Sequence, residues 1–400
     1  MSPAPSNASD PLPGKGLLSR VGQRLDSFWG RVTEGLELQA LWAQFMAEAQ
    51  ASYSLYAREV DWAALEREKG VRRFFKTLNA LFWAMILKLS PARRVFLLLS
   101  LLFGVLALMS ARVTRPDQGG VVVGFPDNFS FVLLALAGLV FLLALELADR
   151  VTMKRDLEIA REIQRWLVPE TPPEVPGVEI AFATRPANTV GGDFYDAFLR
   201  EVEEGGTKAN RLLLVVADVV GKSVPAALLM ATFQASLRTL ANARAPLGDL
   251  VQGMNHYACA HSLEGRRFTT AFFAELDPTT RALTYTLAGH NNPVLRRASG
   301  TIERLTIGNL PLGIDPKARY ACGTTTLAPG DLLVGFTDGV VDAVNAKDED
   351  YSEARLLALI DAAGAENAKT TLERLLADIR AFVGVTRQHD DITCLVMRVV

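Results

Sequence analysis

The sequence predicts an α+β domain with antiparallel sheets over residues 170–400, set behind an N-terminal helical region and a two-helix transmembrane hairpin. Three observations carry this. From residue 178 onward, short alternating strands fall in runs between two pairs of helical segments, instead of alternating one for one with helices. Two uncharged apolar runs, 95–111 and 129–145, have no polar face and approach the length that crosses a bilayer. Several apolar strands begin or end on an aspartate beside a glycine or a second acid.

Residues 1–16, MSPAPSNASDPLPGKG, are rich in Pro, Ser and Gly and predict a disordered tail without the apolar core of a signal peptide. Within a helical region over 17–90, Leu38, Leu41, Trp42, Phe45, Met46, Ala49 and Tyr53 recur at helical spacing and form one apolar stripe. A second helical stretch, 72–89, has Arg72, Arg73, Lys76 and Lys88 near its ends. Its charge-free core is too short to span a bilayer, which predicts a helix lying in the interface.

The hairpin occupies 95–145, its loop punctuated by Pro116, Gly119, Gly120 and Pro126. Lys88, Arg93 and Arg94 precede the first span, and Arg150, Lys154, Arg155 and Arg161 follow the second, against Arg112 and Arg115 in the loop. This bias predicts both termini and the C-terminal domain on the cytoplasmic side of an inner membrane. No Gly or Pro occurs between Gly138 and Pro169, so the second span continues through a linker over 146–169 as a helix about 45 Å long. Met153, Leu157, Ala160, Ile163 and Leu167 form a short seam suited either to a coiled-coil homodimer or to packing on the following domain.

The 400 residues leave room for two to three domains, and a net charge of −2 argues against a nucleic-acid partner. Half of the residues are hydrophobic, which suits a chain that faces lipid. Cys259, Cys322 and Cys394 lie far apart, without zinc-ligand spacing. A cysteine phosphatase is disfavoured too, because Gly265 stands where a Cys-x5-Arg loop starting at Cys259 needs its arginine.

The run 212–222, LLLVVADVVGK, reads as a buried strand that delivers Asp218 to its end. Asp338 likewise ends an apolar strand in VGFTDG, whereas Asp193 (GGDFYD) and Asp390-Asp391 (HDDIT) stand at strand beginnings. Antiparallel neighbours put one strand's end beside the next one's beginning, so these acids can gather along one sheet edge. An unpaired carboxylate there requires a lysine, backbone amides or a metal ion. Hard oxygen donors in such number suit Mg²⁺ or Mn²⁺.

The stretches EIAREIQRWLVP (158–169), RPANTVGGDFYD (185–196), ADVVGKSVPAALLMA (217–231), AGHNNP (288–293), LPLGI (310–314), GDLLVGFTDGVVDA (330–343) and HDDIT (389–393) resemble, in this order, the PPM-type serine/threonine phosphatases of the SpoIIE/RsbU branch. The likeness of GGDF to the GGDEF signature of diguanylate cyclases is superficial, since Tyr195 and Asp196 follow. The resemblance implies an αββα sandwich with two Mn²⁺ or Mg²⁺ ions at one end, hydrolysing phosphoserine or phosphothreonine by a metal-bound hydroxide. It further implies Asp218 as bridging ligand, the Val219 carbonyl beside it, Asp193 on one metal, and Asp338 with Asp390 on the other; Asp193 and Asp218 are the catalytic pair. Asp391 could replace Asp390, and Asp196 could stand behind the ligands.

His290 and Asn291 could border the substrate, and Lys222 could pair with Asp218 or meet phosphate. Where relatives commonly carry glycine after that lysine, this chain has Ser223, and it has Val220 where a small residue is frequent. The expected function is that of a membrane-anchored protein phosphatase acting on a phosphorylated STAS-type anti-sigma-factor antagonist in bacterial partner switching. The alternative is a silent membrane sensor that uses a phosphatase-like domain to bind; the four acids argue against it.

Overall fold

The computed structural model describes residues 89–109, 129–204, 206–261 and 267–400, with scattered positions between 72 and 86. The expected tail, the 38–53 helix, most of the interfacial helix and the hairpin loop lie outside the described residues. The chain divides into two compact units, 1–148 and 149–400.

In the first unit, helix α1 (Pro91–Met109) packs against the start of helix α2 (Phe129–Leu167). Both are long and apolar enough to cross a membrane. Phe96 meets Phe141 at 5.4 Å and Phe103 meets Phe131 at 6.2 Å, so residue numbers rise on one helix as they fall on the other and the pair is an antiparallel hairpin. Small residues set the approach: Ser100, Ala107 and Ala135 are the buried positions, and a Cβ on Gly138 would collide with the Ser100 hydroxyl. Leucines and valines on the remaining faces are exposed, as lipid-facing side chains are in an isolated chain. Without Gly or Pro after Gly138, α2 runs unbroken to Leu167, a length of about 58 Å.

The second unit is a four-layer αββα sandwich. One sheet has the order β1-β11-β10-β6-β7 and the other β2-β3-β4-β5-β8, with β9 paired to β5. The strands are β1 (Val178–Arg185), β2 (Phe194–Glu204), β3 (Thr207–Val219), β4 (Thr269–Leu276), β5 (Ala282–Ala288), β6 (Val294–Arg296), β7 (Ile302–Arg304), β8 (Gly308–Asn309), β9 (Gly323–Thr326), β10 (Leu332–Phe336) and β11 (Ile392–Val399). Helices α3 (Val224–Ala241) and α4 (Leu247–Ala260) cover the second sheet. Helices α5 (Glu353–Ala362) and α6 (Ala368–Val383) cover the first. β3 is apolar without a break because it packs on both sides. Leu212, Leu214 and Val216 enter the core between the sheets, while Leu213, Val215, Ala217 and Val219 pack under α3 and α4. Both faces of this strand are buried.

The same alternation places the acids. Asp218 shares its parity with Leu214 and Val216 and faces the space between the sheets. Asp193 shares parity with Tyr195 and Ala197 across the diglycine turn. On the linker side, Leu167 and Val168 pack against the core beneath α3 and α4, and the Tyr195 hydroxyl donates to the Pro169 carbonyl at 3.3 Å. Of the seam residues, Leu167 therefore joins the domain, whereas Met153 and Ile163 remain exposed.

Candidate active site

β2 and β3 are antiparallel, with Phe194 opposite Ala217, and β10 and β11 are antiparallel, with Phe336 opposite Cys394. The beginnings of β2 and β11 and the ends of β3 and β10 consequently share one edge of the sandwich. Asp193 lies just before β2, Asp218 in the last turn of β3, Asp338 just after β10 in a 3₁₀ turn (Asp338–Val340), and Asp390 just before β11.

These acids feel one another. Burial pushes the Asp218 carboxyl up to about 7, and the charges of Asp338, Asp390 and Asp391 push the same way, against a hydrogen bond with Asp193. Asp193 is raised well above the carboxylate range by burial and by Asp218 and Asp391, while hydrogen bonds from Thr393 and Thr337 oppose the rise. Asp338 is raised by burial and then by Asp390 and Asp342. One cation answers this field directly: the Lys222 ammonium lies 3.1 Å from an Asp390 oxygen and donates to the His389 carbonyl at 2.7 Å. It pairs with Asp390, not with Asp218.

Backbone close approach shapes the pocket. A Cβ on Gly192 would lie 2.8 Å from the Val219 carbonyl oxygen and 3.7 Å from an Asp218 carboxylate oxygen, and one on Gly191 would collide with the Asp391 carboxylate. Only glycine fits at either position, which is why the Val219 carbonyl and Asp218 can stand against the turn that carries Asp193.

Asp390 and Asp391 separate clearly. The buried Asp391 carboxylate accepts from the amides of Ala187 and Gly192, both at 2.7 Å, and of Asp193 at 3.5 Å, so it braces the turn. Asp390 is half-exposed and turned to Lys222. Asp196 is a correction to the sequence reading. It has the parity of Phe194 and Phe198, faces α3, and is held by two Arg238 bonds of 2.8 and 2.7 Å, away from the other acids.

His290 is another correction. It is buried, with Nδ1 3.0 Å from the Thr270 hydroxyl, and burial lowers its pKa to about 4, so a neutral ring sits beneath the edge and offers phosphate no charge. Asn291 beside it is half-buried. Thr337 is a functional residue that sequence reasoning missed. Its hydroxyl donates to Asp193 at 2.8 Å and accepts from the Thr393 amide at 3.0 Å, and its place one residue before Asp338 on the inter-sheet parity was the available signal.

Among the described residues, no group of three or more His, Cys, Asp or Glu side chains is drawn together to hold an ion. The acids ring the edge instead. That donor set fits hard divalent cations that keep much of their water shell and take one or two carboxylates each.

The fold and the acid-lined edge define a PP2C-type phosphatase domain, a metal-dependent class. The SiaA-PP2C domain of Pseudomonas aeruginosa has this fold, with a TM-score of 0.53 at 23% identity over 63% of this chain and 98% of that one. Residues 208–400 match the family model described as Stage II sporulation protein E (SpoIIE), and the domain is similar to RsbU-type PP2C serine phosphatases. Protein IcfG of Synechocystis sp. is 28% identical over 281 residues, 64% of this chain and 43% of that protein. Phosphoserine phosphatase RsbU of Bacillus subtilis is 25% identical over 247 residues, 62% of this chain and 70% of RsbU. The chain thus matches less than half the length of IcfG.

Proposed function

We propose that this chain is a membrane-anchored, metal-dependent phosphoserine/phosphothreonine protein phosphatase. The observation that carries the reading is the convergence of Asp193, Asp218, Asp338 and Asp390 from four strand ends onto one edge where carboxyls are raised and Lys222 is the facing cation. In this reading Asp218 and the Val219 carbonyl would hold both of two Mn²⁺ or Mg²⁺ ions, Asp193 would hold one of them, and Asp338 with Asp390 would hold the other. Bound there, such ions would acidify a water for attack on phosphorus and neutralise the phosphoryl oxygens. The chain's own residues orient the edge: Thr337 fixes the Asp193 carboxylate, Asp391 ties down the diglycine turn, and Lys222 is placed to exchange Asp390 for a phosphate oxygen.

RsbU, named as a phosphoserine phosphatase, supports the substrate class. A phosphorylated STAS-type anti-sigma-factor antagonist is the protein substrate expected of this branch. Arg93 and Arg94 at the head of α1, and Arg150, Lys154 and Arg155 beyond the apolar part of α2, favour a two-span anchor in the cytoplasmic membrane with the phosphatase domain on the cytoplasmic side. The exposed seam residues Met153 and Ile163 of the linker suit a homodimer.

The test is phosphate release by the full chain in detergent from p-nitrophenyl phosphate and from a phosphoserine STAS protein, with Mn²⁺ or with EDTA, beside Asp218→Asn. Release that requires Mn²⁺ and disappears in the variant is the expected result. Absence of both release and Mn²⁺ uptake in the folded wild type would sink the reading.

A further inference from the structure

Gly191 is buried, and its backbone donor and acceptor both need partners. Both are supplied by one side chain. Gln164, in the last turn of α2, donates its Nε2 to the Gly191 carbonyl at 2.7 Å, and its Oε1 accepts from the Gly191 amide at 3.2 Å. The next residues of the turn are held from the opposite side by Asp391. We propose that Gln164 is a positioning residue for the metal centre: by clamping both backbone groups of Gly191, the linker helix fixes the diglycine turn and thereby the place of the Asp193 carboxylate. The inference rests on the reading of Asp193 as a metal-facing acid.

Packing alone does not do this work. A cavity of about 100 Å³ lies beside this contact, bounded by Gln164 and Gly191 themselves and by Arg161, Arg165, Asp193 and Met230. With that gap beside it, the turn depends on directional bonds for its position. The helix end is itself well fixed by Leu167, Val168 and the Tyr195–Pro169 bond. From Asp149 to Gln164 the helix contains no Gly or Pro, so about 22 Å of rigid rod ends on this clamp. Rotation or withdrawal of the rod by a fraction of a hydrogen-bond length at Gln164 would release Gly191, and Asp193 stands two residues further on.

The test uses the full chain in detergent, with Mn²⁺ affinity measured calorimetrically, Mn²⁺-dependent turnover of p-nitrophenyl phosphate, and melting temperature in EDTA. Gln164→Met keeps the length and the helix propensity but removes both bonds. It is expected to weaken Mn²⁺ binding about tenfold, equivalent to ~1.4 kcal/mol, with turnover recovered at saturating Mn²⁺. Gln164→Glu keeps the acceptor but sets a carboxylate against the Gly191 carbonyl, and is expected to weaken binding at least as much. Trp166→Ala, at a position 73% exposed in the same helical turn, should leave Mn²⁺ affinity unchanged. Unaltered Mn²⁺ affinity in Gln164→Met, with or without a lower melting temperature, would overturn the proposal and leave a structural contact. If wild type binds Mn²⁺, Asp218→Asn abolishes binding and Gln164→Met does not disturb it, the positioning role alone fails. If wild type binds no Mn²⁺, the metal reading fails with it.

Discussion

Replacing Asp218 by Asn should stabilise the metal-free protein, by an amount that grows with pH. The folded carboxyl titrates at about 7, against 3.8 for an ordinary aspartate, because of burial first and the neighbouring acids second. Between those values the folded state keeps a proton that the unfolded chain has lost, so its contribution to stability falls as pH rises from about 4 to about 7, then levels. Linkage gives a penalty of roughly 2 kcal/mol at pH 5 and roughly 4 kcal/mol at pH 7.5. His290 works oppositely. Its pKa of about 4, lowered by burial, removes stability as pH falls below the 6.5 of an unfolded imidazole. Wild type alone will therefore show a shallow profile, and the informative quantity is the difference from the variant. Melting curves of the full chain in EDTA, followed by near-ultraviolet circular dichroism, should show Asp218→Asn gaining about 5–10 °C more at pH 7.5 than at pH 5. Mn²⁺ should raise the melting temperature of wild type and leave the variant nearly unmoved. A gain independent of pH would refute the reasoning, because it would place Asp218 outside the field of the other acids.

Four further outcomes are expected. Ser223→Gly should raise stability by ~1 kcal/mol in thermal or denaturant melts, since Ser223 holds φ 63° and ψ −143° at the head of α3, a conformation suited to glycine. Thr337→Val should cost ~2 kcal/mol and weaken Mn²⁺ binding in calorimetry, because the buried Asp193 carboxylate loses its 2.8 Å donor and the Thr393 amide its acceptor. Lys222→Ala should change stability by less than ~1 kcal/mol, as befits an exposed pair, but lower the half-saturating Mn²⁺ concentration by removing the ammonium that competes for Asp390. Arg238→Leu should destabilise by ~3–5 kcal/mol by leaving the fully buried Asp196 uncompensated, while Mn²⁺ affinity at saturation of the folded fraction stays as in wild type.

The strands and helices that position the site were legible because β3, β10 and β11 are apolar on both faces and end or begin at acids. β4 and β5 carry the same apolar and β-branched signal on either side of the Asp277-Pro278 turn. The short β7, β8 and β9 carry almost no periodic signal, and β8 pairs in parallel with β5 over two residues, a contact set by tertiary packing. Asp196 shows what strand parity alone could have decided: three residues from Asp193, it must face the opposite side of β2, where Arg238 waits. Parity also puts Asp391 with Leu395 and Met397 on the inter-sheet face, beside the diglycine turn. Gln164 and Gly191 each lie in a stretch that carries the resemblance, but nothing in the sequence joins the two across 27 positions, since the contact depends on how a helix ends.

The strongest argument that the edge is a cation site comes from how this chain treats its other buried acids. Asp331 receives Arg297 and the amides of Ala298 and Ala328. Asp196 receives Arg238 twice. Asp277, although burial raises its pKa, is drawn down to about 2 by Thr280, the Thr279 amide and Arg211. Asp391 collects three backbone amides. Each of these acids has donors of its own, although burial still raises Asp196 against Arg238. Asp193, Asp218 and Asp338 receive less: Thr337 and Thr393 serve Asp193, the Gly339 amide and Lys222 act on Asp338, and for all three carboxyls burial and mutual repulsion prevail. Asp196 is raised by burial alone, whereas Asp193, Asp218 and Asp338 are raised by burial and by neighbouring acids at one edge, a clustering of negative charge that divalent cations would offset.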